Sequence, residues 1–187
     1  MMNLLYEELP DSVIVAGNSY PIYTDFREWL KFYDLQEESA LSQDEKALLM
    51  LTRYRKNPPI TYIQEALEAL VKFAVRDKIS NNSKNASTKS TDKILSWSYD
   101  SPYIYTAFLS VYGIDLLQIQ NMHWYIFLSL FDGLPEDTPI KQRMSYRAVN
   151  LSSIKDKNER KRIRKIKQAV KIPTGKLTAY QTGDFFG

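Results

Sequence analysis

The stretch DSPYIYTAFLSVYGIDLLQIQNMHWYIFLSLFDGLP, residues Asp100 to Pro135, decides how the rest of the chain is read. Its segment Met122 to Phe131 is apolar on nearly every helical face. Such a helix gains nothing by turning any side to water, so it predicts a buried central helix, closed by Asp132-Gly133. Just upstream, Ser101-Pro102 supplies a cap and a first-position proline for a helix ending at Gly113, with Tyr103 or Ile104, Ala107, Phe108, Val111 and Tyr112 on its apolar side. Between these helices, Ile114-Asp115-Leu116 opens a short helical turn expected to pack Leu116, Leu117 and Ile119.

Toward the N-terminus, residues 80–92 (SNNSKNASTKSTD) contain one alanine and no larger apolar side chain. Such a segment cannot bury enough surface to offset the entropy of ordering it, which predicts a mobile linker. Before it, Val13 to Ala16 and Tyr20 to Ile22 flank Gly17-Asn18-Ser19, the pattern of a hairpin whose Pro21 places the second arm at an edge. Thr24 is the expected cap of the next helix, with Asp25 in its first turn and Phe26, Trp29, Leu30 and Tyr33 on one face. Ser42 and Glu45 form a capping box for a second helix running through Leu48, Leu51 and Tyr54 to about Arg55. A third helix begins near Pro59 to Thr61 and presents Ile63, Leu67, Leu70, Val71 and Ala74.

Toward the C-terminus, Thr138-Pro139 starts a helix through Ala148, and Ser152 or Ser153, the latter in capping-box register with Asp156, opens a last one to about Val170. Pro173 stops it, and residues 174–187 read as a disordered tail. The fold expected is therefore mainly α, six to seven helices with a short N-terminal β-hairpin. Its organisation is a hairpin-plus-helical lobe over residues 1–79, the linker 80–92, a helical lobe over 93–173 and the tail.

Composition removes several function classes. The 187 residues contain no cysteine, so disulfides and thiolate metal sites are excluded, and one histidine argues against a histidine zinc site or a serine-histidine triad. The N-terminus MMNLLYEELPDS lacks the pattern of a signal peptide, and no apolar run approaches the ~20 residues a membrane helix needs. A cytosolic protein without cofactor or catalytic activity is expected. Net charge is +3, yet Lys155 to Lys171 alone hold nine Lys or Arg against Asp156 and Glu159. The first 154 residues sum to about −4.

Each candidate site has a structural alternative. His123 can be read as a general base or pH switch, or as a ring that caps its helix within a packed interface. Asp25, Glu28, Asp100 and Asp115 can be read as a carboxylate site, but each sits where a helix start favours an anion. Arg160, Arg164, Lys167 and Lys171 recur at i, i+4, i+7 and i+11 beside Ile163, Ile166 and Val170. Three readings of this basic amphipathic helix stay open: a solvated face over a core stripe, a docking helix for an acidic protein, or a phosphate-backbone contact. No aromatic residue interleaves the basic run, which weakens the nucleic-acid reading.

At Tyr112 to Leu116 (YGIDL) and Met122 to Pro135 (MHWYIFLSLFDGLP) the chain resembles the bacteriophage gene product fifteen family, small proteins encoded in the tail modules of long-tailed phages and prophages of Gram-positive bacteria. Tyr20 to Leu30, Asp100 to Phe108, the helix bearing Arg147 and the basic closing helix fit in order, covering residues 3–173. Tyr125 stands where the family pattern often has a second tryptophan. Members lie just before the tape-measure gene, a position held elsewhere by tail assembly chaperones. The resemblance thus implies a tail morphogenesis factor in the host cytoplasm that binds the tape-measure protein, with the tail tube protein and a second copy of itself as further partners. It brings no catalytic or ligand residue. The partner-binding residues expected on this reading are Tyr112, Trp124, Phe127, Phe131, Arg160, Arg164, Lys167 and Lys171. A structural tail or connector component and a nucleic-acid-binding accessory protein are the alternatives.

Overall fold

The computed structural model describes residues 4–76 and 93–173. The protein is mainly helical: a two-stranded antiparallel hairpin precedes seven α-helices among the described residues. The expected linker 80–92 and tail 174–187 lie outside the described residues.

Strands β1 (Ser12–Val15) and β2 (Asn18–Pro21) pair with Val15 opposite Asn18, so the turn is Ala16-Gly17, one residue earlier than the Gly-Asn-Ser pattern suggests. Both turn residues have positive φ, 47° and 76°, as a type I′ turn requires. Gly17 takes this conformation freely, whereas Ala16 is tied down by its N–H, which donates to Glu65 Oε2 at 3.1 Å.

Helix α1 (Phe26–Glu37) is capped by Asp25 rather than Thr24, the Asp25 carboxylate accepting from the Arg27 N–H at 3.0 Å. Its fully buried residues are Phe26, Trp29 and Phe32, with Leu30 and Tyr33 only half-buried. The Ser42–Glu45 capping box opens α2 (Gln43–Leu51) as expected. That helix stops short of Arg55 because the chain leaves it to pair with the end of the hairpin. The Tyr23 N–H donates to Arg53 O and the Arg55 N–H to Pro21 O, both at 2.9 Å. Leu48, expected in the core, is 58% exposed; α2 buries Lys46 instead, whose ammonium donates to Gln36 O near the C-terminal end of α1.

A 3₁₀ turn (Ile60–Tyr62) leads into α3 (Ile63–Ala74). Helix α4 (Ser101–Tyr112) is closed by Gly113 at φ 67°, whose N–H donates to Leu109 O at 3.0 Å. The Ser101 hydroxyl does not cap it but donates to Ser98 O. Helix α5 (Trp124–Asp132) is the central apolar helix; α6 (Pro139–Ala148) follows, then a 3₁₀ turn (Leu151–Ser153) and α7 (Lys157–Ala169). The two serines expected to cap α7 belong to that separate turn. Asp156 caps the helix, accepting from the Glu159 N–H at 2.6 Å. Leu117, expected to pack, is 76% exposed.

Compactness groups the chain into two units that are not consecutive in sequence, unlike the lobes drawn above. The first comprises the described residues of Met1–Thr88 with Phe108–Leu134; the second comprises those of Lys89–Ala107 with Pro135–Gly187. In the first unit, Trp124 N–H donates to Thr24 O at 2.7 Å and Phe26 N–H to Met122 O at 2.9 Å, so the start of α5 is bonded to the start of α1. Around this junction Phe127 stacks on Phe26 (4.7 Å) and Phe108 (5.1 Å), while Phe73 lies against Trp29 (4.5 Å) and Tyr125 (4.7 Å). Aromatic pairs at such separations add to the burial of their area. In the second unit Ile104, Ala107, Ile140 and Ile163 are buried.

Candidate interaction site

The four apolar residues expected to meet a partner sit mostly inside the first unit. Trp124, Phe127 and Phe131 are buried, and the Trp124 indole N–H donates to Ala74 O at 2.9 Å. Tyr112 is half-buried, with its hydroxyl donating to Leu130 O at 2.8 Å. All four therefore hold α3, α4 and α5 in place from within. Among the described residues of this unit the exposed large apolar side chains include Leu5, Tyr6, Ile14, Leu48, Ile60 and Leu117.

The basic residues divide. On α7, Ile163 is buried and Ile166 half-buried, which fixes the apolar side of the helix. Arg164 and Lys171 are exposed, Arg160 half-buried, and Lys167 donates to Val149 O at 3.0 Å. Glu159 and Arg162 pair at 2.8 Å on the solvent side. Their hydrogen bond lowers the pKa of Glu159 and raises that of Arg162.

A second basic cluster lies on α6 and was not singled out by spacing. Asp100, read above as a helix-start carboxylate, is fully buried; its two oxygens accept from Arg147 Nη1 at 2.6 Å and Nη2 at 2.8 Å. It also accepts from the Ser96 N–H at 3.1 Å. Arg147 further donates to Ile94 O (2.9 Å) and, through Nε, to Val170 O (2.6 Å), tying the entry to α4 and the end of α7 to α6. One turn earlier, Arg143 Nε lies 3.6 Å from Asp100 Oδ1, too far for a hydrogen bond, and its guanidinium rests 4.1 Å from the Tyr103 ring centre. The sequence signal for this cluster is the i, i+4 arginine pair on α6, legible only once Asp100 is known to face it.

His123 caps α5. Its Nδ1 accepts from the Tyr125 N–H at 3.0 Å, so the proton is on Nε2, which donates to Pro10 O at 3.0 Å. Burial lowers its pKa from the ordinary histidine value, against the Pro10 carbonyl and Asp11 carboxylate, which act the other way. Both ring nitrogens are engaged in holding backbone. Asp25 is equally occupied: besides capping α1 it accepts from the Met122 N–H at 3.2 Å and pairs with Arg27, whose Nη2 donates to Leu116 O and Ile119 O at 2.9 and 2.7 Å. Asp25 and Arg27 thus clamp the loop between α4 and α5 onto α1.

Compared with known families, the chain matches the bacteriophage Gp15 protein over residues 5–172. It belongs to that family. No curated protein and no solved structure matches it.

Membership points to a role in phage structure or morphogenesis. In this Gp15 chain the segments that carry the resemblance, Tyr112 to Leu116 and Met122 to Pro135, lie in the first unit up to Leu134 and include α5, whose start is bonded to that of α1. Among the described residues no group of three or more His, Asp or Glu is placed to hold a metal ion, and no helix is long and apolar enough to cross a membrane.

Proposed function

We propose that this Gp15 protein is a tail assembly chaperone, acting without catalysis in the host cytoplasm, that binds the tape-measure protein before the tube polymerises. The observation that carries this reading beyond family membership is the separation of charge between the units. Described residues of the second unit hold thirteen Lys or Arg against five Asp or Glu; those of the first hold eight against fourteen. With the aromatic anchors enclosed, what the second unit offers a partner is its basic surface, with Arg160 and Arg164 on α7 and Lys171 just past its end. Such a surface favours capture of acidic stretches of a protein chain and speeds the encounter.

The test is co-expression with the tape-measure protein encoded beside it. Copurification, and improved solubility of that protein, are expected. Failure of both would sink the proposal, and recovery of the Gp15 protein in purified virions would make it a structural tail component instead.

A further inference from the structure

The second unit carries more buried positive charge than its buried carboxylate can answer. Asp100 is completely enclosed, and both its oxygens are already taken by the Arg147 fork. Arg143 is added to this pair with 14% of its side chain exposed. Its Nε is buried without a hydrogen-bond partner, and none of its N–H groups meets an acceptor within hydrogen-bonding distance among the described residues. Two guanidinium groups on one carboxylate leave a net +1, and a largely desolvated charge without a counter-charge is costly.

What holds Arg143 there is aromatic. Its guanidinium lies 4.1 Å from the centre of the Tyr103 ring and 6.0 Å from that of Tyr99, while Asp100 lies beside its Nε. The Nη groups are the ones that reach solvent, since Nε alone of the three nitrogens is a fully buried, unpaired atom. A planar, pre-positioned fork backed by tyrosines, its side chain already ordered, is the arrangement that binds a carboxylate with both donors at little further entropic cost. Arginine and tyrosine are also the residues in which binding energy concentrates at protein interfaces.

We propose that Arg143, seated on Tyr103 and Tyr99, is a receptor for a carboxylate side chain of an acidic partner segment. The occupant is a protein carboxylate rather than a nucleic-acid phosphate backbone because a single guanidinium is presented here, enough for one side-chain anion, while the row of exposed cations that a chain of phosphates needs lies on α7. Binding completes the charge balance that Asp100 leaves open. The inference rests on the reading that the second unit contacts a protein partner, and it names the chemistry of that contact whichever phage protein supplies it.

The full-length chain, labelled with ¹⁵N, is titrated with an N-acetylated, C-amidated hexaglutamate peptide, and separately with inorganic phosphate and a DNA duplex. The Arg143 Nε–H resonance, assigned by its loss in Arg143→Lys, is followed. A saturable shift with the peptide is expected, with binding at least about tenfold weaker in Tyr103→Leu by the same resonance and in Arg143→Lys by isothermal titration calorimetry. An absent or non-saturating shift in the native protein overturns the proposal, whatever the variants do. So does phosphate or DNA saturating the same resonance at lower concentration than the peptide. Because the probe is a peptide, a negative result here leaves the co-expression test of the chaperone reading standing on its own outcome.

Discussion

Asp100 and Arg147 meet as two parallel hydrogen bonds of 2.6 and 2.8 Å with neither side chain more than 2% exposed. The pair joins the residue before α4 to the last turn of α6, and Arg147 extends the connection to Ile94 and Val170. Removing Arg147 takes both guanidinium hydrogen bonds from the buried carboxylate and leaves it only the Arg143 Nε beside it at 3.6 Å. Arg147→Ala is therefore expected to cost about 3–5 kcal/mol in urea unfolding. The double variant Asp100→Leu with Arg147→Met is expected to lose less than Arg147→Ala alone; an equal or larger loss would mean that the pair stabilises by more than avoiding a stranded charge.

Trp124 is enclosed and its indole N–H is bonded to Ala74 O at 2.9 Å, so shape and hydrogen bond separate by substitution. Trp124→Ala is expected to cost about 3–5 kcal/mol through the cavity it leaves. Trp124→Phe leaves the carbonyl without that donor and is expected to cost about 1–3 kcal/mol. Chemical denaturation of both variants checks the order, and a Phe variant as unstable as the Ala variant would contradict it.

The Asp25 and Arg27 clamp makes a local prediction. Asp25→Ala removes the α1 cap and the acceptor for the Met122 N–H together, at an expected cost of about 2 kcal/mol, whereas Asp25→Asn keeps an accepting oxygen and loses less. Hydrogen exchange should show faster exchange at the Arg27 and Met122 amides in Asp25→Ala while the Trp124 amide, bonded to Thr24 O, responds less.

His123 gives the pH dependence its sign. Its folded pKa lies below the ordinary histidine value, so the unfolded chain binds the proton more readily than the native one. The stability contributed by neutral His123 is complete above about pH 6.5 and falls as the pH drops below it, because protonating Nδ1 removes the acceptor for the Tyr125 N–H. Thermal melts between pH 8 and pH 5 are expected to show this loss, and His123→Asn, which can still cap α5, should reduce it. An unchanged slope in the variant would assign the dependence to other groups.

Much of the fold is legible in the sequence because helix boundaries are written locally. The Ser42–Glu45 box, the glycine after Tyr112 and the Thr138-Pro139 start all act within a few residues of themselves. Errors arise where a distant segment competes. The α2 helix ends early because residues 53–55 pair with the hairpin, and Leu48 and Leu49 face out while Lys46 closes the end of α1. The aromatic residues Trp124, Phe127 and Phe131 are visible as anchors in any reading, but only the bonds from α5 to Thr24 and Met122 to Phe26 place them inside the unit. Arg143 is the least legible of all, since its interest depends on Asp100 being occupied by a different arginine.

The interleaving of the two units sets the order in which a growing chain can complete them. When Arg76 has left the ribosome, Trp29 and Phe73 can meet, yet Phe26 has no Phe127 to stack on until 51 more residues have been made. At typical synthesis rates that interval is roughly 3–10 s. Throughout it the nascent N-terminal helices present an unfinished aromatic face, and the second unit, whose Asp100 emerges before its Arg147, closes only after the first can. The chain thus encodes a fold that ripens late, its first unit waiting for a helix made after the start of its second.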